Sequence, residues 1–136
     1  MMISGEIQGL KEVQKNIVEA IKIASTTNDE ALIEIGERGV GILKSNTPVI
    51  EGRLINSMSY TVAGKVIDPL GANAPEDKLK VNKDKRVVVI GTNVIYAPWV
   101  EFMSKNGSAG YMRRSYNTLK PIATKIIKTM FKKRGF

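Results

Sequence analysis

Ser57-Met58-Ser59-Tyr60-Thr61-Val62-Ala63-Gly64-Lys65-Val66-Ile67, or SMSYTVAGKVI, is where the chain changes its period. Met58, Tyr60 and Val62 alternate with Ser57, Ser59 and Thr61, the two-residue repeat of a strand with one face on a core. Ala63-Gly64-Lys65 then reads as a turn or bulge, and Val66-Ile67 offers a little more strand. Helical spacing prevails before it as far as about Lys44, so the change at Ser57 separates a helical amino-terminal part from a sheet.

Upstream, Ile7, Leu10, Val13, Ile17 and Ile21 recur at steps of three and four, with Lys11, Lys15, Glu19 and Lys22 between them. That spacing predicts an amphipathic helix over 6–24. Residues 25–29, Ser-Thr-Thr-Asn-Asp, interrupt it, and Thr27 with Glu30 forms a capping box for a second helix running to about Lys44. A single bent helix through 25–29 is the alternative. Gly36, Gly39 and Gly41 each weaken the second helix by about 1 kcal/mol relative to alanine, and small residues there permit close approach by another element. Pro48 disfavours helical geometry at Thr47 and ends the run, and Gly52 marks a turn.

Downstream, residues 68–85 carry two prolines and mixed charges with no sustained period, and read as a long polar loop for contacting a partner. Arg86–Ile90 holds four consecutive β-branched residues, the composition of a central or doubly covered strand. Gly91-Thr92-Asn93 breaks it. The last helix is expected from Asn117 or Thr118 to about Lys133, buried along Leu119, Ile122, Ile126, Ile127, Met130 and Phe131, with Pro121 tolerated in its first turn. The expected fold is α+β: a small, mainly antiparallel sheet packed against two N-terminal helices and a C-terminal helix. It is one structural domain over 1–136, with an extended loop at 68–85.

Composition removes much chemistry. The 136 residues include neither cysteine nor histidine, which excludes disulfides, Cys/His zinc sites and every histidine-containing triad. No apolar run reaches the roughly 18 residues of a membrane span, and the amino terminus does not have the pattern of a signal peptide, so folding in a cytoplasm is expected. The net charge of +8 is unevenly placed. Residues 1–101 carry 12 basic and 13 acidic side chains, whereas residues 102–136 carry nine basic and no acidic ones. A one-signed end suits an acidic protein neighbour or phosphate.

The residues that could carry chemistry cluster at 87–116, VVVIGTNVIYAPWVEFMSKNGSAGYMRRSY. Gly91 follows a strand, but neither a G-x-G-x-x-G nor a G-x-x-x-x-G-K-[ST] pattern is present. Glu101 has no second acid at a recognisable spacing, so it is expected to pair with an arginine or to cap backbone N–H groups. Trp99 and Phe102 are expected as anchors in the core or between subunits. Arg113-Arg114 between Tyr111 and Tyr116 has the basic-aromatic interleaving of nucleic-acid sites without any accompanying module.

Three motifs in order carry a resemblance. Pro48, Gly52, Leu54 and Ser57 fall at the marked positions of the first, 47–57. Gly91, Tyr96, Ala97, Glu101 and Phe102 do so in the second, 90–102, and 110–115, Gly-Tyr-Met-Arg-Arg-Ser, is the third. Over roughly residues 5–131 the chain resembles the HK97 gp10-like family of tailed-phage and prophage proteins, known as tail-component, tail-completion or head–tail joining proteins. It departs from that pattern at Met103, Gly110, Tyr111 and Arg114-Ser115, where glycine, proline, phenylalanine and Pro-Ala are usual. The resemblance implies a non-enzymatic virion part without cofactor or metal. It further implies a subunit of a ring, typically sixfold, at the neck or the head-proximal end of the tail, made in the host cytoplasm.

Closed rings need two different complementary patches. The expected pair is the 68–85 loop against the 100–114 segment of the next copy, with Asp77, Lys78, Lys80, Glu101, Lys105, Tyr111, Arg113 and Arg114 as contacts. Pro48, Gly52, Leu54, Gly91, Tyr96, Trp99 and Phe102 are expected as structural anchors. Lys125, Lys128 and Lys132 form a basic helix face open to neighbouring neck, connector or tail-tube proteins, or to DNA in the lumen. The competing readings are a small basic nucleic-acid-binding module, and a hydrolase or transferase using Glu101.

Overall fold

The computed structural model describes residues 2–48, 52–72, 74–84, 86–103 and 109–136, with side chains from Leu10 onward. Among them the order is α1 (Met2–Asn46), α2 (Arg53–Asn56), β1 (Ser59–Val62), β2 (Lys65–Ile67), a 3-10 turn (Pro75–Asp77), β3 (Val89–Gly91), α3 (Ala97–Met103) and α4 (Tyr111–Lys133). The expected α+β architecture is present: a long N-terminal helix, a three-stranded antiparallel sheet in the order β2-β1-β3, and a C-terminal helix packed against α1.

The two expected N-terminal helices are one helix of 45 residues. The capping box does not form because the Thr27 hydroxyl donates backwards to the Ile23 carbonyl at 2.7 Å, as Thr26 does to Lys22 at 3.0 Å. Such bonds to the carbonyl four residues earlier let a threonine stay inside a helix. Glu30 instead reaches Arg134, beyond the end of α4, at 2.6 Å.

Gly36 and Gly39 are where α1 comes closest to the sheet and α4. A β-carbon on Gly36 would overlap the Tyr60 ring, and one on Gly39 would overlap Ile90 and press on Leu119. Gly41 faces open space. The core closes around this contact with Leu32, Val40, Leu43, Leu54, Met58, Tyr60, Val62, Val94, Val100 and Tyr111. The Tyr60 hydroxyl donates to Glu37 on the far edge of α1 at 2.9 Å. Burial first, and then that bond, push the Tyr60 phenol above its ordinary range.

Ala63 and Gly64 make the two-residue turn between β1 and β2, both with positive φ, as the right-handed twist of a tight hairpin requires. β1 is the central strand and all four of its residues are buried. The 86–90 run is not central: β3 is an edge strand, and Val87 and Val89 are 43% and 37% exposed. β-Branched composition favours a pleated backbone without deciding where in the sheet the strand lies.

The last helix starts six residues before the expected Asn117. Pro121 therefore lies in its interior, exposed to solvent, and leaves the Asn117 carbonyl without its helical N–H. No described helix is long and apolar enough to cross a membrane.

Candidate partner-docking surface

Gly52, with φ 78°, turns the chain into α2 through a left-handed conformation, and the next residue, Arg53, sets the site. Its guanidinium makes a bidentate pair with Asp77, Nε to Oδ2 at 2.9 Å and Nη2 to Oδ1 at 2.8 Å. The same group lies 5.7 Å from the centroid of the Tyr96 ring. Asp77 is only 1% exposed, and the hydrogen bonds from Arg53 hold its carboxyl below the ordinary carboxylate range against the opposing effect of burial.

The 3-10 turn in turn holds the approach to α3. Asn93 donates its backbone N–H to the Asp77 carbonyl and its side-chain amide to the Glu76 carbonyl, both at 2.9 Å. Leu79 N–H donates to Ser59 Oγ at 3.1 Å. Residues 74–79 are thus fastened to the body and do not form a free extended loop, and Asp77 is an internal brace, not an intersubunit contact.

Glu101 is likewise internal. It is 8% exposed and its carboxylate accepts from the backbone N–H of Met112 at 2.8 Å and of Arg113 at 3.2 Å. It caps α4, whose own preceding residue, Gly110, offers no side chain. Gly110 N–H also donates to the Glu101 carbonyl at 2.7 Å, which locks the end of α3 to the start of α4. The expected capping role is met, and it engages the Glu101 carboxylate within the chain, away from the surface where a partner contact was expected. Tyr111 too is no surface contact. It is fully buried, its hydroxyl has no partner among the described residues, and burial together with Glu101 and Tyr96 pushes its phenol up to about 12.

With its inner face on Ala97, Val100 and Glu101, α3 turns its outer face to solvent. Ile95, Trp99, Phe102 and Met103 are 87%, 54%, 71% and 64% exposed. Trp99 and Phe102, three apart on α3, form an exposed ridge, and Ile95 stands exposed in the turn just before it. Of the two places expected for Trp99 and Phe102, in the core or between subunits, their exposure excludes the core. On a helix their positions lie opposite the small and aliphatic residues that do reach the core. Pocket-like space of about 830 Å³ runs beside the ridge between Arg53, Asp77, Thr92, Glu101 and Met112. Both buried carboxylates on it are already engaged, so neither is poised as an acid or base. Among the described residues no three acidic side chains gather as a metal site would need.

Other expected residues are distributed as follows. Leu54 is in the core, Gly91 is buried at the end of β3, and Pro48 and Tyr96 are half-buried. Lys78 is half-buried with its Nζ 3.6 Å from Asp68, and Lys80 is exposed. Arg113 and Arg114 are exposed on the first turn of α4, Arg114 tied to the Ala109 carbonyl at 2.6 Å. Lys125, Lys128 and Lys132 are exposed along α4, as expected. Lys105 lies outside the described residues. Sequence reading missed Arg53 and Ile95. Ile95 would have emerged had Ala97-Pro98 been taken as a helix start, since proline at the second helical position gives up an N–H that has no partner anyway.

This chain matches no protein-family model, and no curated protein or solved structure shows a significant likeness to it.

Proposed function

We propose that this protein is a structural assembly subunit of a phage or prophage particle, working in a ring at the head–tail junction or the head-proximal end of the tail. One observation carries the proposal: the exposed Trp99, Phe102 and Met103 on α3, with exposed Ile95 in the turn before it, on a helix fastened from beneath. A tryptophan and a phenylalanine side by side in water are the composition of a docking surface, where such residues supply most of the contact energy. The three-motif resemblance supports placing that surface in a tailed-phage particle. The rigid mounting supports a structural role, because the nearby carboxylates are occupied in fastening α3 to its surroundings.

The test is co-purification with the proteins encoded beside this one, comparing the natural chain with Trp99→Glu and Phe102→Glu. Both positions are exposed, so the monomer should melt unchanged while complex formation falls at least tenfold. Undiminished complexes would refute the role of the ridge. Strong, salt-dependent binding to duplex DNA, lost when Arg113, Arg114, Lys125 and Lys128 are neutralised, would favour a nucleic-acid module instead.

A further inference from the structure

The amino-terminal half of α1 projects beyond the part of the helix that packs on the body. Leu10, Val13, Ile17, Val18 and Ile21 are 59%, 53%, 53%, 64% and 63% exposed, and they form an apolar stripe in line with the buried Ala31, Leu32 and Ile35 of the same helix. Together they expose on the order of 500 Å², as large as the biggest apolar patch on an ordinary monomer. The molecule has a second unfilled apolar feature. A groove of about 410 Å³ runs between α1, β3 and α4, lined by Leu43, Ile90, Tyr116, Leu119, Ala123 and Ile127.

We infer that the stripe of one copy seats in the groove of a second copy. The stripe fits within the length of the groove: Leu10 to Ile21 spans about 17 Å of helix, and the α4 wall of the groove from Met112 to Ile127 about 22 Å. Covering the whole stripe would bury about 500 Å² on it and a comparable area in and around the groove, about 1,000 Å² in all, the lower limit for a specific interface. Gln14 lies within the stripe and Lys11 at its edge, one heptad before Val18, while Lys15 and Lys22 lie farther round the helix; the basic residue of the groove is Lys120.

Pairing of two stripes with each other fits less well. A coiled-coil seam on this segment would take Leu10, Val13, Ile17, Ala20 and Ala24, only two heptads with small residues in the second, and would leave Val18 and Ile21 outside. A stripe this broad suits a three-walled groove better than a narrow seam. Because stripe and groove are different surfaces, the contact is heterologous and can propagate around a ring. For that setting the inference rests on the assembly role proposed above.

The chain has no cysteine, so introduced ones report cleanly. Copies carrying Ile17→Cys and copies carrying Ala123→Cys, distinguished by a mass tag, are mixed and oxidised at millimolar concentration. The expected product is the unlike disulfide dimer, at least tenfold over links between two Ile17→Cys copies. Separately, Val13→Glu with Ile17→Glu, or Thr124→Glu with Ile127→Glu, should weaken self-association at least tenfold by sedimentation, with circular dichroism showing the fold intact. Mixing these two variants should restore association, because each keeps one sound patch.

Predominant Ile17–Ile17 linkage, or no linkage at all, would overturn the inference. Rings that form without the unlike link would overturn it and leave the assembly role standing. Unlike links confined to closed dimers would establish the contact and overturn the ring.

Discussion

The two halves of α1 share one helix and one apolar face, yet they live in different surroundings. From Thr27 to Leu43 the helix is rich in glycine and packs on the sheet and α4; from Leu10 to Ile23 it is rich in large aliphatic residues and faces water. Each half carries six large aliphatic side chains, but only the C-terminal half buries most of its own. What brings the C-terminal half onto the body is closeness of approach, which Gly36 and Gly39 permit by having nothing to hold Tyr60 and Ile90 away. Hydrophobic period reports which face will be covered. The small residues report where the chain itself does the covering.

A matched pair of truncations tests this difference most directly. Ile35→Ala removes a side chain that is 5% exposed and should cost about 3 kcal/mol of unfolding free energy in denaturant titrations. Ile17→Ala, the same chemistry on the same face, starts from 53% exposure and should change the dilute monomer by less than about 0.5 kcal/mol. Equal costs would mean that the projecting half is packed in solution, and the comparison would fail. Gly36→Ala comes next. Its methyl group would meet the Tyr60 ring, which is fully buried and tethered to Glu37, so about 2 kcal/mol should be lost although alanine is the better helix former.

Acid should divide the halves in a different way. Asp77 has a folded-state pKa below its unfolded value, so the stability it contributes is complete above the unfolded pKa and is lost as pH falls through the folded one. Its ion pair with Arg53 fastens the α2 side of the body, whereas the charges of the projecting half lie on exposed helix surface. Acidification below pH ~4 should therefore lower the melting temperature of the natural protein more than that of Asp77→Asn. An identical acid profile for the two proteins would show that Asp77 is not the group responsible.

The features legible in the sequence are those set by local pattern. The alternation at 57–62, the Ala63-Gly64 turn and the helical stripe before Lys133 led to an α+β fold, and the order of elements follows from them. The features that escaped depend on contacts between distant residues. Threonines 26 and 27 resemble a helix boundary until their hydroxyls are seen bonding backwards. The start of α4 is capped by a carboxylate 11 positions upstream, a spacing no local capping pattern contains. Trp99 and Phe102 are apolar enough to promise cover, but sequence cannot say whether their own chain or another supplies it. No element was expected over 97–103, so the exposed face that Trp99 and Phe102 share there went unseen.

The smallest expected effect has the opposite sign from the others. Gly41 lies in the packed half of α1, five residues from Gly36, yet a β-carbon there would meet nothing within 4 Å. It supplies no close approach, and the helix continues through it without a left-handed turn. All that remains is the entropic cost of glycine in a helix interior, so Gly41→Ala should stabilise the monomer by about 0.5–1 kcal/mol in denaturant titrations. Stabilisation here beside destabilisation at Gly36 would separate the two uses of glycine within a single stretch. A loss at Gly41 in dilute solution would mean that the outer face of the packed half is also in contact, and that closeness to the body does not by itself distinguish the halves. Gly41→Ala that gains stability when dilute but loses self-association would instead mark that face as one covered by another copy.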